Sequence, residues 1–130
     1  MKKIILVLDD DEVARRALGA IFESAGHEVI LISNVPEAIN VVREGHIDLA
    51  VVDIKMPVFD GYKFCEFLRK TKTHSKIPIV ILTGEKERYG KTDAWILKVE
   101  AFLEKPFDPR GLVIKVNKLL SAADKKETAE

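Results

Sequence analysis

Cysteine is almost missing from this chain of 130 residues. Its single Cys65 has no partner for an internal disulfide, which fits a reducing compartment such as the cytoplasm. Net charge is missing too. The 21 basic side chains balance 21 acidic ones, so the total gives no attraction to nucleic acid or to a membrane surface. No apolar run approaches the roughly 18 residues of a membrane-spanning helix. The opening "MKKIILVLDDDE" begins like a signal peptide, but acids follow an apolar core of about five residues. Internal repeats and low-complexity stretches are absent. Asn and Gln are sparse beside abundant Lys and Glu, a balance seen in thermophile proteins. What is left is a globular chain long enough for one domain with a full core and too short for two.

Short apolar runs recur at 4–8, 28–32, 49–53, 78–82 and 101–105 and read as strands. Helical periodicity fills the intervals. Val13, Ala14, Ala17, Leu18, Ile21 and Phe22 form a first stripe, closed by "AGH". Asn34 is placed to cap a second helix, with Pro36 in its first turn and Ala38, Ile39 and Val42 inward. Asp60-Gly61 precedes a third, which buries Phe64, Cys65 and Leu68. A fourth, over 85–99, is weakened by Gly90 and its charged neighbours. Asp108-Pro109 opens the last, with Leu112, Val116, Leu119 and Leu120 inward. Alternating strands and helices predict a parallel sheet covered on both faces. The unit is read as residues 1–122, with 123–130 a polar, disordered tail.

In such sheets function gathers at the carboxyl ends of the strands. The first strand ends in "LVLDDD", with Glu12 behind it. Four neighbouring acids repel one another unless a cation gathers them or a helix starts there. Asp11 and Glu12 fit the helix start. Asp9 and Asp10 fit either reading alone, but Asp53 ends the third strand, Thr83 the fourth and Lys105 the fifth. Carboxylates with a backbone carbonyl and water suit a hard divalent cation, Mg²⁺ above all. A lysine facing them suits the oxygens of a phosphoryl group. Cys65 reads as inert core. His27, His46 and His74 lie in polar segments without ligand spacing and carry no assigned chemistry.

The chain resembles a response-regulator receiver domain, the phosphoacceptor unit of two-component signalling, over residues 3–121. "ILVLDDDEVARR", "DLAVVDIKMPVFDG", "PIVILTG" and "AFLEKPF" carry the resemblance, in the family's order. It implies a doubly wound (βα)5 flavodoxin-like three-layer sandwich with strand order 2-1-3-4-5. It implies that Asp53 is phosphorylated and that Asp10 ligates Mg²⁺ directly. Asp9 would hold the metal through water, and the backbone carbonyl of Lys55 would complete the set. Thr83 and Lys105 would contact the phosphoryl oxygens, Thr83 and Phe102 would switch, and the Lys105–Pro106 peptide would be cis. The donor would be a sensor histidine kinase or a histidine phosphotransfer protein. The response would reach a downstream protein partner, or an output domain missing from this chain, through the fourth helix, fifth strand and last helix. No direct nucleic-acid or membrane contact is implied, and no enzyme beyond self-catalysed phosphorylation and dephosphorylation.

Some positions depart from the family's pattern. "KVEAF" replaces the usual small pair before the fifth strand, and Lys55 and Glu85 stand where phosphoryl lifetime is tuned. Trp95 and Tyr89 fit partner contacts and half-buried packing equally well. Two rival functions stay open. A degenerate receiver would not be phosphorylated, against which all five site residues are kept. A Mg²⁺-dependent phosphohydrolase usually has a second Asp two residues after its nucleophile, where this chain has Lys55.

Overall fold

The structure is a computed structural model that describes residues 2–54, 58–83, 99–104 and 106–129. For residues 53, 54, 58–60, 83, 102, 104 and 126–129 it describes the backbone alone. The strands are β1 (Ile4–Leu8), β2 (Glu28–Ile32), β3 (Leu49–Ile54), β4 (Ile79–Thr83) and β5 (Ala101–Glu104). All neighbours pair in parallel, in the order β2-β1-β3-β4-β5. The helices are α1 (Glu12–Ser24), α2 (Val35–Glu44), α3 (Val58–Lys70) and a C-terminal helix (Pro109–Ala129).

Strand alternation divides the core in two. Leu6, Leu8, Ala50, Val52, Ile79 and Ile81 face Ala38 and Val42 of α2 and Phe64, Cys65 and Leu68 of α3. Ile5, Val7, Leu49, Val51, Val80 and Leu82 face Leu18 and Phe22 of α1 and Leu112, Val116 and Leu120 of the C-terminal helix. Because both faces are covered, the central strands are continuous apolar runs. This is the three-layer, doubly wound flavodoxin-like arrangement expected from the sequence.

Local signals account for most element ends. The side chain of Asn34 accepts the N–H of Glu37 at 2.9 Å, an N-cap that fixes where α2 begins. Gly26 takes φ +93°, the left-handed conformation that turns the chain from α1 into β2. Asp108 caps the C-terminal helix, its carbonyl accepting the N–H of Leu112 at 2.9 Å.

Three expectations differ. The first stripe is rotated: Leu18, Gly19 and Phe22 are buried, whereas Val13 is 78% exposed. Val13 sits in the first turn, at the strand ends, where no described element covers it. Gly19 lies close against Leu31 on β2, where a Cβ would come within 3.1 Å of that side chain. α3 begins at Val58, so Asp60 and Gly61 lie inside its first turn instead of before it. The C-terminal helix continues to Ala129, where a disordered tail was expected. Ala and Lys are good helix formers there, and Asp124 pairs with Lys3 at 2.8 Å. The predicted fourth helix lies outside the described residues apart from Val99.

Candidate functional site

The acids after β1 separate into two pairs with different tasks. Asp11 is the N-cap of α1, its side chain accepting the N–H of Val13 at 3.1 Å. Glu12 pairs with Arg16 one turn on, at 2.8 Å on the exposed face. Both therefore serve the helix start, as the sequence implied. Asp9 and Asp10 remain at the rim of the sheet. Asp9 is 1% exposed, while Asp10 faces outward. The main chain of Asp9 continues the β1–β2 ladder by donating to the carbonyl of Ile32 at 3.0 Å. Its Oδ1 accepts the N–H of Asp11 at 2.9 Å, and its carbonyl accepts Nη1 of Arg15 at 2.8 Å.

The register carries the other strand ends to this rim. β1 and β3 are neighbours, with Leu8 opposite Val52. Asp9 and Asp53 each follow one residue further along these strands, which run about 4.8 Å apart where they pair. On the other side of β3, Asp53 is opposite Leu82 and Ile54 is opposite Thr83. Thr83 ends β4 opposite Glu104 of β5, and Phe102 lies opposite Ile81. Lys55, Lys105, Glu85, Tyr89 and Trp95 lie outside the described residues, as does the Lys105–Pro106 peptide.

Among the described residues, no three His, Cys, Asp or Glu side chains gather closely enough to hold a metal by themselves. The described donors at the rim are carboxylate oxygens of Asp9 and Asp10, with neither thiolate nor imidazole beside them in sequence. That chemistry fits a hard cation such as Mg²⁺ and not a soft one. Burial of Asp9 among strand ends makes a positive counter-charge favourable.

Chemistry missed by the sequence lies at the opposite end of the sheet, before the strands begin. His27 and His74, expected in loose polar segments, are 5% and 2% exposed. Nδ1 of His27 accepts the N–H of Lys3 at 3.2 Å, and its Nε2 meets Oδ1 of Asn117 at 2.8 Å. Nε2 of His74 accepts the N–H of Ile47 at 3.3 Å. His46 pairs with Asp48 at 2.7 Å, and Asp48 also accepts the N–H of Ile4 at 2.8 Å. Burial would raise the Asp48 carboxyl, but these two bonds bring it below its ordinary value. Cys65 is fully buried, and burial pushes its thiol up to about 12, the inert core residue expected.

Comparison with known proteins agrees with this layout. The family model described as response regulator receiver domain matches residues 5–117. A probable transcriptional regulator of Pyropia yezoensis is 37% identical over 98% of this chain and 51% of its own length. The alkaline phosphatase synthesis transcriptional regulatory protein PhoP of Bacillus subtilis is 33% identical over 95% of this chain and 51% of its own. The chain thus spans about half the length of these curated relatives. Among solved structures, a CheY-like receiver domain protein of Methanospirillum hungatei superposes with a TM-score of 0.87 at 25% identity, covering 97% of this chain and 99% of that one. The response regulator TrrA of Thermotoga maritima, solved in complex with Mg²⁺-BeF, superposes with a TM-score of 0.78 at 30% identity, covering 90% and 98%. The chain belongs to the response regulator receiver domain family.

Proposed function

We propose that Asp53 is the phosphoacceptor of this receiver, taking a phosphoryl group in line from a phosphohistidine on a sensor histidine kinase or a histidine phosphotransfer protein. The observation that carries this reading is the register that pairs Leu8 with Val52, each one residue before Asp9 and Asp53, with Thr83 ending the next strand. Asp10 would ligate Mg²⁺ directly and Asp9 through water, with Asp53 and the carbonyl of Lys55 completing the protein's share. Bound there, Mg²⁺ would supply positive charge against the incoming phosphoryl oxygens. The chain's own part is positioning and charge. Asp53 presents the attacking oxygen, while Lys105 neutralises the transferred group and Thr83 donates its hydroxyl to it. Phosphorylation then favours an arrangement in which Thr83 and Phe102 shift together, a redistribution between two states.

The receiver is taken to work in the cytoplasm and to turn over no other substrate. Among the described residues no helix is long and apolar enough to cross a membrane. The named relatives support an output in transcription, exerted through a protein partner or a further domain. The test is reaction with a small acyl phosphate and Mg²⁺, followed by intact mass. One phosphoryl group should add, chelation of Mg²⁺ should prevent it, and Asp53→Asn should not be modified. Modification that survives Asp53→Asn would place the acceptor elsewhere. No modification of the wild type would favour the degenerate receiver, and steady turnover of phosphate esters the phosphohydrolase.

A further inference from the structure

Arg15 lies on α1, directly behind the acid loop. Its Nη1 donates to the carbonyl oxygen of Asp9 at 2.8 Å. That carbonyl belongs to the Asp9–Asp10 peptide, from whose two ends both rim carboxylates project. Other anchors of the loop are the bonds from Asp9 N–H to Ile32 and from Asp11 N–H to Asp9 Oδ1. It is therefore fastened to β2, to its own next turn and to α1. The adjacent Arg16 does something different, pairing with Glu12 on the exposed face. A guanidinium among acids ordinarily forks onto a carboxylate, where it would compete with a metal ion. Arg15 is instead aimed at a neutral carbonyl.

We propose that Arg15 is a positioning residue for the divalent-cation site. By holding the Asp9 carbonyl it keeps the Asp9 and Asp10 carboxylates in the arrangement that binds Mg²⁺, and so sets the Mg²⁺ requirement of phosphorylation. This rests on the reading of Asp9 and Asp10 as metal-holding residues. Charge alone predicts the opposite sign. Removing a cation beside an acid cluster should tighten Mg²⁺ binding, whereas removing an outer support should weaken it.

Calorimetric titration of the full chain with Mg²⁺ separates the two. Arg15→Ala should weaken binding roughly tenfold, the low end of what loss of an outer-shell partner does. Arg15→Lys keeps a donor and should recover part of the loss, while Arg16→Ala should not weaken binding. In the acyl phosphate reaction Arg15→Ala should need more Mg²⁺ for half-maximal rate, yet approach the wild-type rate at saturation. A general loss of structure would not give that split. If Asp10→Ala abolishes binding while Arg15→Ala binds as tightly as wild type or tighter, the metal site stands and the positioning role is overturned. If Asp10→Ala binds like wild type, the metal-site reading itself fails, and the role of Arg15 with it. Should Arg15→Ala not fold, Arg15→Lys and Arg15→Gln decide, since wild-type affinity in both would overturn the proposal.

Discussion

His74 gives a buried backbone donor its partner. The N–H of Ile47, just before β3, finds its acceptor in Nε2 of His74. The ring can accept there only while neutral, with its proton on Nδ1, which faces Oγ1 of Thr73 at 2.7 Å. Burial lowers the affinity of His74 for a proton, the His46 ring 5.8 Å away adds to this, and Asp48 opposes it. Below the ordinary 6.5 the unfolded chain therefore takes up a proton that the folded one resists. This contribution to stability is constant above 6.5 and falls as the pH drops through that value. We expect the urea midpoint to decline from pH 7 toward pH 5, and His74→Gln, which keeps an acceptor that does not titrate, to decline less. Equal slopes in both proteins would show that this ring does not couple protons to folding. None of this was legible in the sequence. His27, His46 and His74 each precede a different strand, so their spacing has no period and only the assembled parallel sheet brings them to one end.

At the scale of elements, one departure from the family's pattern acquires a role. Glu100, in the "KVEAF" stretch, accepts the buried N–H of Ile79 at 2.8 Å and returns its own N–H to the Ile79 carbonyl at 3.0 Å. Arg69, near the end of α3, donates to Glu100 at 2.9 Å and to the carbonyl of Ile77 at 2.7 Å. The end of α3, the start of β4 and the approach to β5 are thereby fastened at one point. Glu100→Ala should cost about 1–3 kcal/mol, because it leaves Ile79 N–H without its acceptor. Glu100→Gln should cost less, since it keeps an acceptor and loses only the charge toward Arg69. Chemical unfolding measures both, and a neutral alanine variant would mean that the clamp adds nothing. The sequence marked this stretch as unusual but could not say why, because its partners lie 21 and 31 residues away. The strands were legible because continuous apolar, β-branched runs are local. The buried face of α1 was not, because it includes Gly19, which lies against Leu31 of β2.

For the whole molecule, what matters is that the acids, Asp53 and Thr83 all come to one rim of a parallel sheet. That convergence was legible, since a doubly wound order sends every strand's carboxyl end to the same side. The route from the rim to an output is a separate physical problem. Both relatives compared in detail are transcriptional regulators by name, and the match occupies about half of each. Binding to duplex DNA draws most of its non-specific affinity from counterions released by a basic surface. This chain has 21 basic and 21 acidic groups and a sequence pI near 6.8, so near neutral pH it gains little from that source. On the proposed reading, its own contribution is a phosphorylation-dependent surface that another protein segment would read. The chain, phosphorylated or loaded with Mg²⁺ and beryllofluoride, should not retard duplex DNA in a gel even at low salt. Under the same conditions its Trp95 emission should change, and Thr83→Ala should diminish that change. Salt-sensitive DNA binding that appears only on phosphorylation would overturn the protein-docking output. It would place the nucleic-acid contact within these 130 residues themselves.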